Sequence, residues 1–582
     1  MTRKLKMNNE YERTEADKII EECLSLHTPK SFFLFAGAGA GKTRSLVNAL
    51  QYINNTIRDQ LVLLDKHVAV ITFTNAAAEE IKNRTQYDSL FTISTIHSFV
   101  WRLIKGFDVD IKKWLKDYLQ SKINEYNSKP HKSGTKQEVS YNKQLERLKQ
   151  LETIKHFNYD PAPEAANSGK DSLNHSEVLK ICAHFLINKP LFAKMLVQKF
   201  PILLIDESQD TDKNLMEAFL SIQNKFSDCF TLGLFGDTKQ RIYATGKEDL
   251  GDIDYWSSCG FKTPQKPQNH RSGSRIVELA NKIGSLIDKT PTQNPVPDKG
   301  EGCVRLFLAP TNTDKHLTES RVKEHMATIT GNSLWNKKNW KDKEGATLVL
   351  EHRMAAVRMG FVEMWDALKS TSEFDSVKSG TSQEINFFKN FVLPLVQSNN
   401  DFEIMRIIKK YYKDLFKQIN KDSLRYISEC VSRIKTAYTN NPNITFGEML
   451  DVIRTCDIFN IPHKYDEESE SFELFFNIKL SQIIPYAKYI DNLSEFKTHH
   501  GVKGLEFDNI MAIIDNDTKW RTYDETNFFV AGKANKDTLR LLYVICTRAK
   551  QNLAVILYTD TTKNQLNQNW FNDEEIISLS SF

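Results

Sequence analysis

The chain has 582 residues, more than one hydrophobic core accommodates, so several domains are expected. Lys and Arg number 78 against 74 Asp and Glu, and a formal charge of +4 on a chain of this size excludes a histone-like polycation while leaving room for a local basic surface. Hydrophobic residues make up 40% and charged residues 26%, an ordinary globular balance. No apolar run reaches the length of a membrane span, and the N-terminal stretch lacks a signal-peptide core. The eight cysteines are scattered without a CxxC pair, which argues against a zinc ribbon and a disulfide scaffold and predicts reduced thiols in the cytoplasm.

In chain order, short apolar runs at Ser31–Ala36, Val68–Phe73, Ile202–Asp206 and Phe230–Phe235 read as buried strands. Helical patterns at 44–54, 75–84 and 211–224 lie between them. A second series has strands at Val304–Leu308, Ala346–Leu350, Asn509–Ile514 and Leu553–Tyr558, with helices at 273–289, 353–369 and 538–549. Strand–helix alternation predicts α/β architecture with parallel sheets. Each series is interrupted by a helical segment, at 101–194 and at 370–492. Residues 102–150 hold 12 Lys/Arg and 6 Asp/Glu, a local excess of +6. Asn127–Tyr141 and Thr290–Gly300 read as exposed loops. The domain boundaries that follow are 1–100 with 195–265 for a first lobe, 101–194 for its basic insertion, 266–369 with 493–582 for a second lobe, and 370–492 for the second insertion.

The strongest chemical signal is Ala36-Gly37-Ala38-Gly39-Ala40-Gly41-Lys42-Thr43, placed after an apolar strand and opening a helix that continues with Arg44. Small residues let backbone N–H groups approach a phosphate chain, and the helix N-terminus adds a favourable dipole. Lys42 would reach the β- and γ-phosphates and Thr43 would ligate Mg²⁺. Downstream, the apolar strand Leu203-Leu-Ile ends in Asp206 and Glu207. Asp206 would hold the same metal through water, and Glu207 would orient and deprotonate the attacking water. The 164 residues between Lys42 and Asp206 fit a simple nucleotide kinase poorly.

Further motifs extend along the chain: Thr72-Phe73-Thr74-Asn75, Ser94-Thr-Ile-His97, Gly236-Asp237-Thr-Lys-Gln240-Arg-Ile-Tyr243, Gln268-Asn-His270-Arg271-Ser, Thr498-His-His500-Gly-Val-Lys503-Gly-Leu-Glu506-Phe, and Leu542-Tyr543-Val-Ile-Cys-Thr547-Arg548-Ala. With the phosphate loop and the Asp-Glu pair, eight motifs stand in the order of a UvrD/Rep-type superfamily 1 helicase, which the chain resembles throughout. The resemblance implies two RecA-like P-loop lobes with parallel sheets, each carrying a mainly helical insertion, with ATP between the lobes and single-stranded DNA across them. It implies an ATP- and Mg²⁺-dependent DNA translocase or helicase of 3′→5′ polarity. Arg271 and Arg548 match arginines that stabilise charge on the transferring phosphoryl group. Gln240 matches a γ-phosphate sensor, His270 the position of a base-stacking tyrosine, and Glu506 a ribose contact. Phe73, Thr74, Asn75, His97, His500 and Lys503 match positions that touch single-stranded or partly duplex DNA.

Departures from that family are equally specific. The adenine-reading glutamine is not evident, since Glu15 or a neighbour takes its place, and Ala244-Thr245-Gly246 stands where a Trp-Arg-Gly run is usual. Trp101, Trp114, Tyr118 and Tyr126 in the basic insertion are expected to pack as helix core more than to stack on bases. The runs Leu348–Phe361 and Thr498–Phe507 resemble the helicase subunits of Gabija-type antiphage systems, which work with an OLD/TOPRIM nuclease. Two further readings remain: a DNA-sensing regulatory subunit with little unwinding, or a stand-alone repair helicase.

Overall fold

The computed structural model describes residues 13–129, 136–161, 169–242, 245–248, 250–337, 340–341, 343–371, 374–412, 421–467, 469–515, 535–560, 566 and 570–579. The protein is α/β and is built on two six-stranded sheets, consistent with two RecA-like lobes. The first sheet contains β1 (Phe32–Ala36), β2 (Val68–Thr72), β3 (Phe91–Thr95), β4 (Ile202–Ile205), β5 (Thr231–Gly236) and β6 (Gln265–Lys266), in the order β3-β2-β4-β5-β1-β6. Its neighbouring strands pair in parallel, for example Leu34 with Phe235 and Ile71 with Ile205.

β1, β2 and β4 are apolar on both faces because both of those faces are covered. Phe33, Phe35, Ala69, Ile71, Leu203 and Ile205 point into one core, while Phe32, Leu34, Val68, Val70, Ile202 and Leu204 point into the other. The first core continues into the basic insertion through Ile111, Leu115, Leu173, Ile181 and Phe185. That insertion therefore shares its hydrophobic core with the sheet. Trp101 and Trp114 pack against the same core, as expected, and Trp114 stacks on Tyr118 with ring centroids 4.8 Å apart. Of the expected loop 127–141, residues 130–135 lie outside the described set, and a helix begins at Lys136.

A two-stranded parallel pair follows, β7 (Gln268–Asn269) with β8 (Asn294–Pro295). The second six-stranded sheet contains β9 (Cys303–Ala309), β10 (Gly345–Val349), β11 (Phe496–Thr498), β12 (Phe507–Ile514), β13 (Ala549–Tyr558) and β14 (Ile576–Ser578), in the order β11-β10-β12-β13-β9-β14. The expected helix 353–369 is two helices, His352–Met359 and Val362–Leu368. Gly360, at φ +81°, ends the first in the left-handed conformation that suits glycine. In the first of these helices Arg358 is buried between Glu319 (3.0 Å) and Asp515 (2.7 Å), and His352 bonds the Tyr489 hydroxyl at 2.7 Å. The second insertion is helical and holds its own aromatic core around Phe388, Phe446, Tyr465 and Phe475.

The described residues form two compact units. One comprises 1–304, 527–551 and 567–572, and the other comprises 305–526, 552–566 and 573–582. Residues 266–304 and the helix Lys536–Cys546, expected above in the second lobe, belong to the unit that contains the phosphate loop. Among the described residues no helix is long and apolar enough to cross a membrane.

Candidate nucleotide site

The loop after β1 runs into the helix Lys42–Thr56 through Gly41, which lies at φ +82°. Gly39 is likewise left-handed at φ +73°. Glycine takes these two conformations without strain, and the turn between them is closed by the Ala40 N–H donating to the Gly37 carbonyl at 3.2 Å. Ala36, Ala38, Ala40 and Lys42 are buried, Gly37 and Thr43 half-buried, and Arg44 exposed. The Lys42 ammonium donates to the carbonyls of Ala36 (3.1 Å) and Gly37 (3.4 Å).

The C-terminal ends of β4 and β5 supply the acids, as an α/β sheet places its ligand groups at that edge. Asp206 is buried, and its Oδ1 accepts the Glu207 N–H at 3.0 Å. Glu207 sits at φ +51°, a costly backbone for a side chain of its size and one that recurs at functional sites. Its Oε2 accepts from Gln209 Nε2 at 2.5 Å, and Gln209 Oε1 in turn accepts the Asp237 N–H at 3.1 Å. Gln209 thus bridges the two strand ends, a role that no local pattern advertised. The Thr43 hydroxyl and the Asp206 carboxylate are hard oxygen donors. They suit Mg²⁺, which takes few protein ligands and keeps several waters.

A buried polar chain continues from β5. Gln240 Nε2 donates to Asp237 Oδ2 at 2.6 Å, and Gln240 Oε1 accepts from Arg548 Nη2 at 2.7 Å. Burial pushes the Asp237 carboxyl above its ordinary range, opposed by Lys42, Gln240 and Lys239. Arg548 is 1% exposed, and burial lowers its pKa, with neighbouring Arg271 adding to the effect and Glu207 and Asp237 opposing it. The guanidinium is thus buried beside a second cation, Arg271, and two carboxylates, Glu207 and Asp237. Arg271 donates to the Thr547 carbonyl at 3.0 Å and is half-buried. Lys42, Glu207, Gln240, Arg271 and Arg548 thus belong to one cluster within one compact unit.

His270 is exposed, and its backbone N–H donates to the Gly39 carbonyl at 3.0 Å. Burial, then Arg44 and Lys266, lower its imidazole pKa. Glu15 is exposed and pairs with Lys18. Instead the buried Asp17 closes a capping box with Thr14 and accepts from Ser45 (2.5 Å) and from Lys266. Asn269 and Gln293, neither of them singled out above, both reach the phosphate loop, each donating to the Ala38 carbonyl at 3.0 Å.

The residues expected at DNA lie elsewhere. Phe73 is half-buried at the end of β2, and Thr74 caps the helix Asn75–Arg84 with both Thr74 and Asn75 exposed. His97 lies edge-on to His175, ring centroids 4.7 Å apart, and burial lowers its pKa to about 4. His500, Lys503 and Glu506 belong to the second unit, on the segment between β11 and β12. His500 and Glu506 are there half-buried, as is Lys503. Tyr243 and Ala244 lie outside the described residues.

The sheets and the phosphate loop define a P-loop nucleotide-binding protein of RecA-like type. A family profile described as an AAA domain matches residues 21–246. Gabija protein GajB of Bacillus cereus is 24% identical over 92% of this chain and 94% of its own length. The ATP-dependent DNA helicase PcrA of Staphylococcus epidermidis is 24% identical over 80% of the chain, which spans only 64% of that relative. A probable DNA helicase II homolog of Mycoplasma pneumoniae is 23% identical over 90% of the chain and 81% of its own length. In fold and motif set the chain is similar to UvrD-like superfamily 1 helicases.

Proposed function

We propose that the protein hydrolyses ATP with Mg²⁺ at the Lys42 loop while bound to single-stranded DNA, moving 3′→5′, and that it does so in antiphage defence beside a nuclease. It is an ATP-dependent DNA helicase of UvrD type. The observation that carries the ATPase reading is the buried chain Asp237–Gln240–Arg548, which joins the loop after β5 to a buried guanidinium beside Glu207. In this reading Lys42 and Thr43 hold phosphate and metal, Asp206 completes the metal site, Glu207 takes the proton of the attacking water, and Arg271 with Arg548 meets the charge that develops on the phosphoryl group. Mg²⁺ held by Thr43 and Asp206 would supply neutralisation of phosphate charge. His270 would lie against the base and Glu506 would contact the ribose. Phe73, Thr74, Asn75, His97, His500 and Lys503 would line the path of the strand.

The defence reading is favoured by the end-to-end match to a Gabija protein, against the partial span of PcrA. The partner it implies is an OLD/TOPRIM-type nuclease. Strand displacement on duplexes with 3′ or 5′ tails tests the polarity. Displacement of the 5′-tailed substrate alone would reverse it, and ATP turnover without displacement of either would favour the DNA-sensing role. Retention of a nuclease through a high-salt co-purification separates the defence complex from a stand-alone repair helicase.

A further inference from the structure

The Ala38 carbonyl is held by side chains from remote parts of the chain. It accepts from Asn269 Nδ2 and from Gln293 Nε2, both at 3.0 Å. The nearby Tyr543 hydroxyl donates to Asp237 Oδ2 at 3.4 Å. Gln293 is itself fixed. Its backbone N–H and carbonyl both pair with the Asn281 side chain at 2.8 Å, and its Oε1 accepts from Asn269 Nδ2 at 3.2 Å. The segment leading to it is tied to the loop after β5, since Asp288 accepts from the Thr238 hydroxyl (2.6 Å) and the buried Lys239 ammonium donates to the Thr290 carbonyl (2.9 Å). The approach is close enough to restrict the loop's own sequence. A Cβ on Gly37 would come within 2.5 Å of Gln293 Cδ.

We propose that Gln293 is a positioning residue for nucleotide binding: by donating to the Ala38 carbonyl it sets the peptide plane of the phosphate loop, so that the N–H groups from Gly39 onward face the phosphate chain. The proposal rests on the reading of the Lys42 loop as the ATP site. A phosphate loop binds through backbone donors, and each works only if its peptide is turned toward the anion before the anion arrives. An unheld Ala38 peptide can rotate, and ATP must then bear the ordering itself. The loss falls on binding, because Gln293 touches neither the acids nor the arginines that act on the reacting phosphoryl group. Because Lys239 and Thr238 hold the same segment, the clamp also joins the phosphate loop to the Gln240 loop.

The experiment compares Gln293→Met, which keeps the length and removes the donor, with Gln293→Glu, which sets a carboxylate against the carbonyl. ATP dissociation constants come from a fluorescent ATP analogue and kcat from phosphate release with single-stranded DNA. Thermal melts accompany both. Gln293→Met should raise Kd and KM for ATP roughly three- to tenfold, the scale of one net hydrogen bond, with kcat at saturation changed less than twofold. Gln293→Glu should weaken ATP further at equal fold content. Gly37→Ala, which displaces the Gln293 side chain, should add little to Gln293→Met in the double variant, because both remove the same contact. Unchanged ATP affinity in both Gln293 variants, or a loss of kcat alone, overturns the proposal. Lys42→Ala serves as the separate control. If it turns over normally the ATP-site reading fails, whereas an inactive Lys42→Ala beside a wild-type-like Gln293→Met sinks the clamp alone.

Discussion

Replacing Arg548 with alanine should separate catalysis from stability. The guanidinium donates to Gln240 Oε1 (2.7 Å), to the Val544 carbonyl (3.1 Å) and to the Thr547 hydroxyl (3.2 Å). Truncation takes one donor from Gln240, while the Val544 carbonyl still accepts from the Thr547 hydroxyl (3.1 Å), and a buried group left short of a partner costs about 1–3 kcal/mol. Against this, removal of the side chain relieves the burial of a charge that Arg271 disfavours and that Glu207 and Asp237 favour. The two contributions are of similar size and opposite sign, so unfolding free energy should change by no more than about 2 kcal/mol. Catalysis has no such offset. An arginine finger is worth about 10³-fold or more in kcat, which corresponds to about 4 kcal/mol of barrier. We therefore expect Arg548→Ala to fold, to bind ATP within about tenfold of wild type, and to lose roughly three orders of magnitude in DNA-stimulated phosphate release. Arg548→Lys restores the charge but not the planar fork that reaches both Gln240 and a phosphate, so it should recover only part of the rate. Urea melts, equilibrium binding of a fluorescent ATP analogue and steady-state kinetics read the three quantities independently. A folded Arg548→Ala with kcat within tenfold of wild type would refute the finger assignment. A variant that loses ATP affinity while keeping kcat would place Arg548 in ground-state binding instead.

Lys42→Ala should abolish phosphate release while leaving the circular dichroism spectrum unchanged, and full turnover in the folded variant would remove the phosphate assignment. Single-stranded DNA should stimulate the ATPase, with log affinity falling against log salt by about 0.7 per neutralised phosphate. Charge reversal at Lys112, Lys113 and Lys116 should flatten that slope if the basic insertion touches DNA, and an identical slope excludes that face. His499 is fully buried in the second unit, and burial lowers its pKa to about 3, below the ordinary 6.5 of the unfolded chain. Between those values the unfolded state binds the extra proton, so this contribution to stability is complete above pH 6.5 and falls as pH drops, by about 1.4 kcal/mol per unit. His499→Leu should lessen the loss seen by denaturant melts between pH 7 and pH 5.5, and an unaltered pH dependence would mean that the ring titrates freely.

Elements with a strong local pattern were legible. The run Ser31–Ala36 is wholly apolar and is followed by a glycine-rich turn, and it forms β1 with every residue buried. The helix expected at about 75–84 spans Asn75–Arg84, where Thr74 supplies the N-cap. The strands that escaped notice are short or polar. β3 carries Thr92, Ser94 and Thr95 among its five residues, β6 has two residues, and β11 and β14 have three each. Such strands owe their place to neighbours already in the sheet. β3 pairs with β2 along its whole length, whereas its own sequence has little apolar surface to bury. Propensity is weak over so few residues, and the pairing that decides the matter is not local.

The site divides along the same line, and the division has a physical cause. Lys42, Asp206, Glu207, Gln240 and Arg548 act at the ends of strands or helices, where adjacent residues must also have special chemistry, so each stands in a recognisable run. Gln209 and Asn269 stand within recognisable runs, but their partners across the fold are not local, and Gln293 stands in none; such residues act by holding backbone or acid groups, and other neighbours that present an amide there would serve. Their imprint lies instead on the residues they approach. Gly37 has no need of glycine for its own backbone, since its φ is not positive, yet a Cβ there would strike Gln293. At Gly39 both demands coincide, a φ of +73° and a Cβ position 2.6 Å from Arg271 Cβ. The phosphate loop is therefore glycine-rich for two reasons at once. Phosphate needs close backbone donors on one side, and on the other the loop is pressed by Asn269, Arg271 and Gln293, the side chains that make its orientation depend on the rest of the unit.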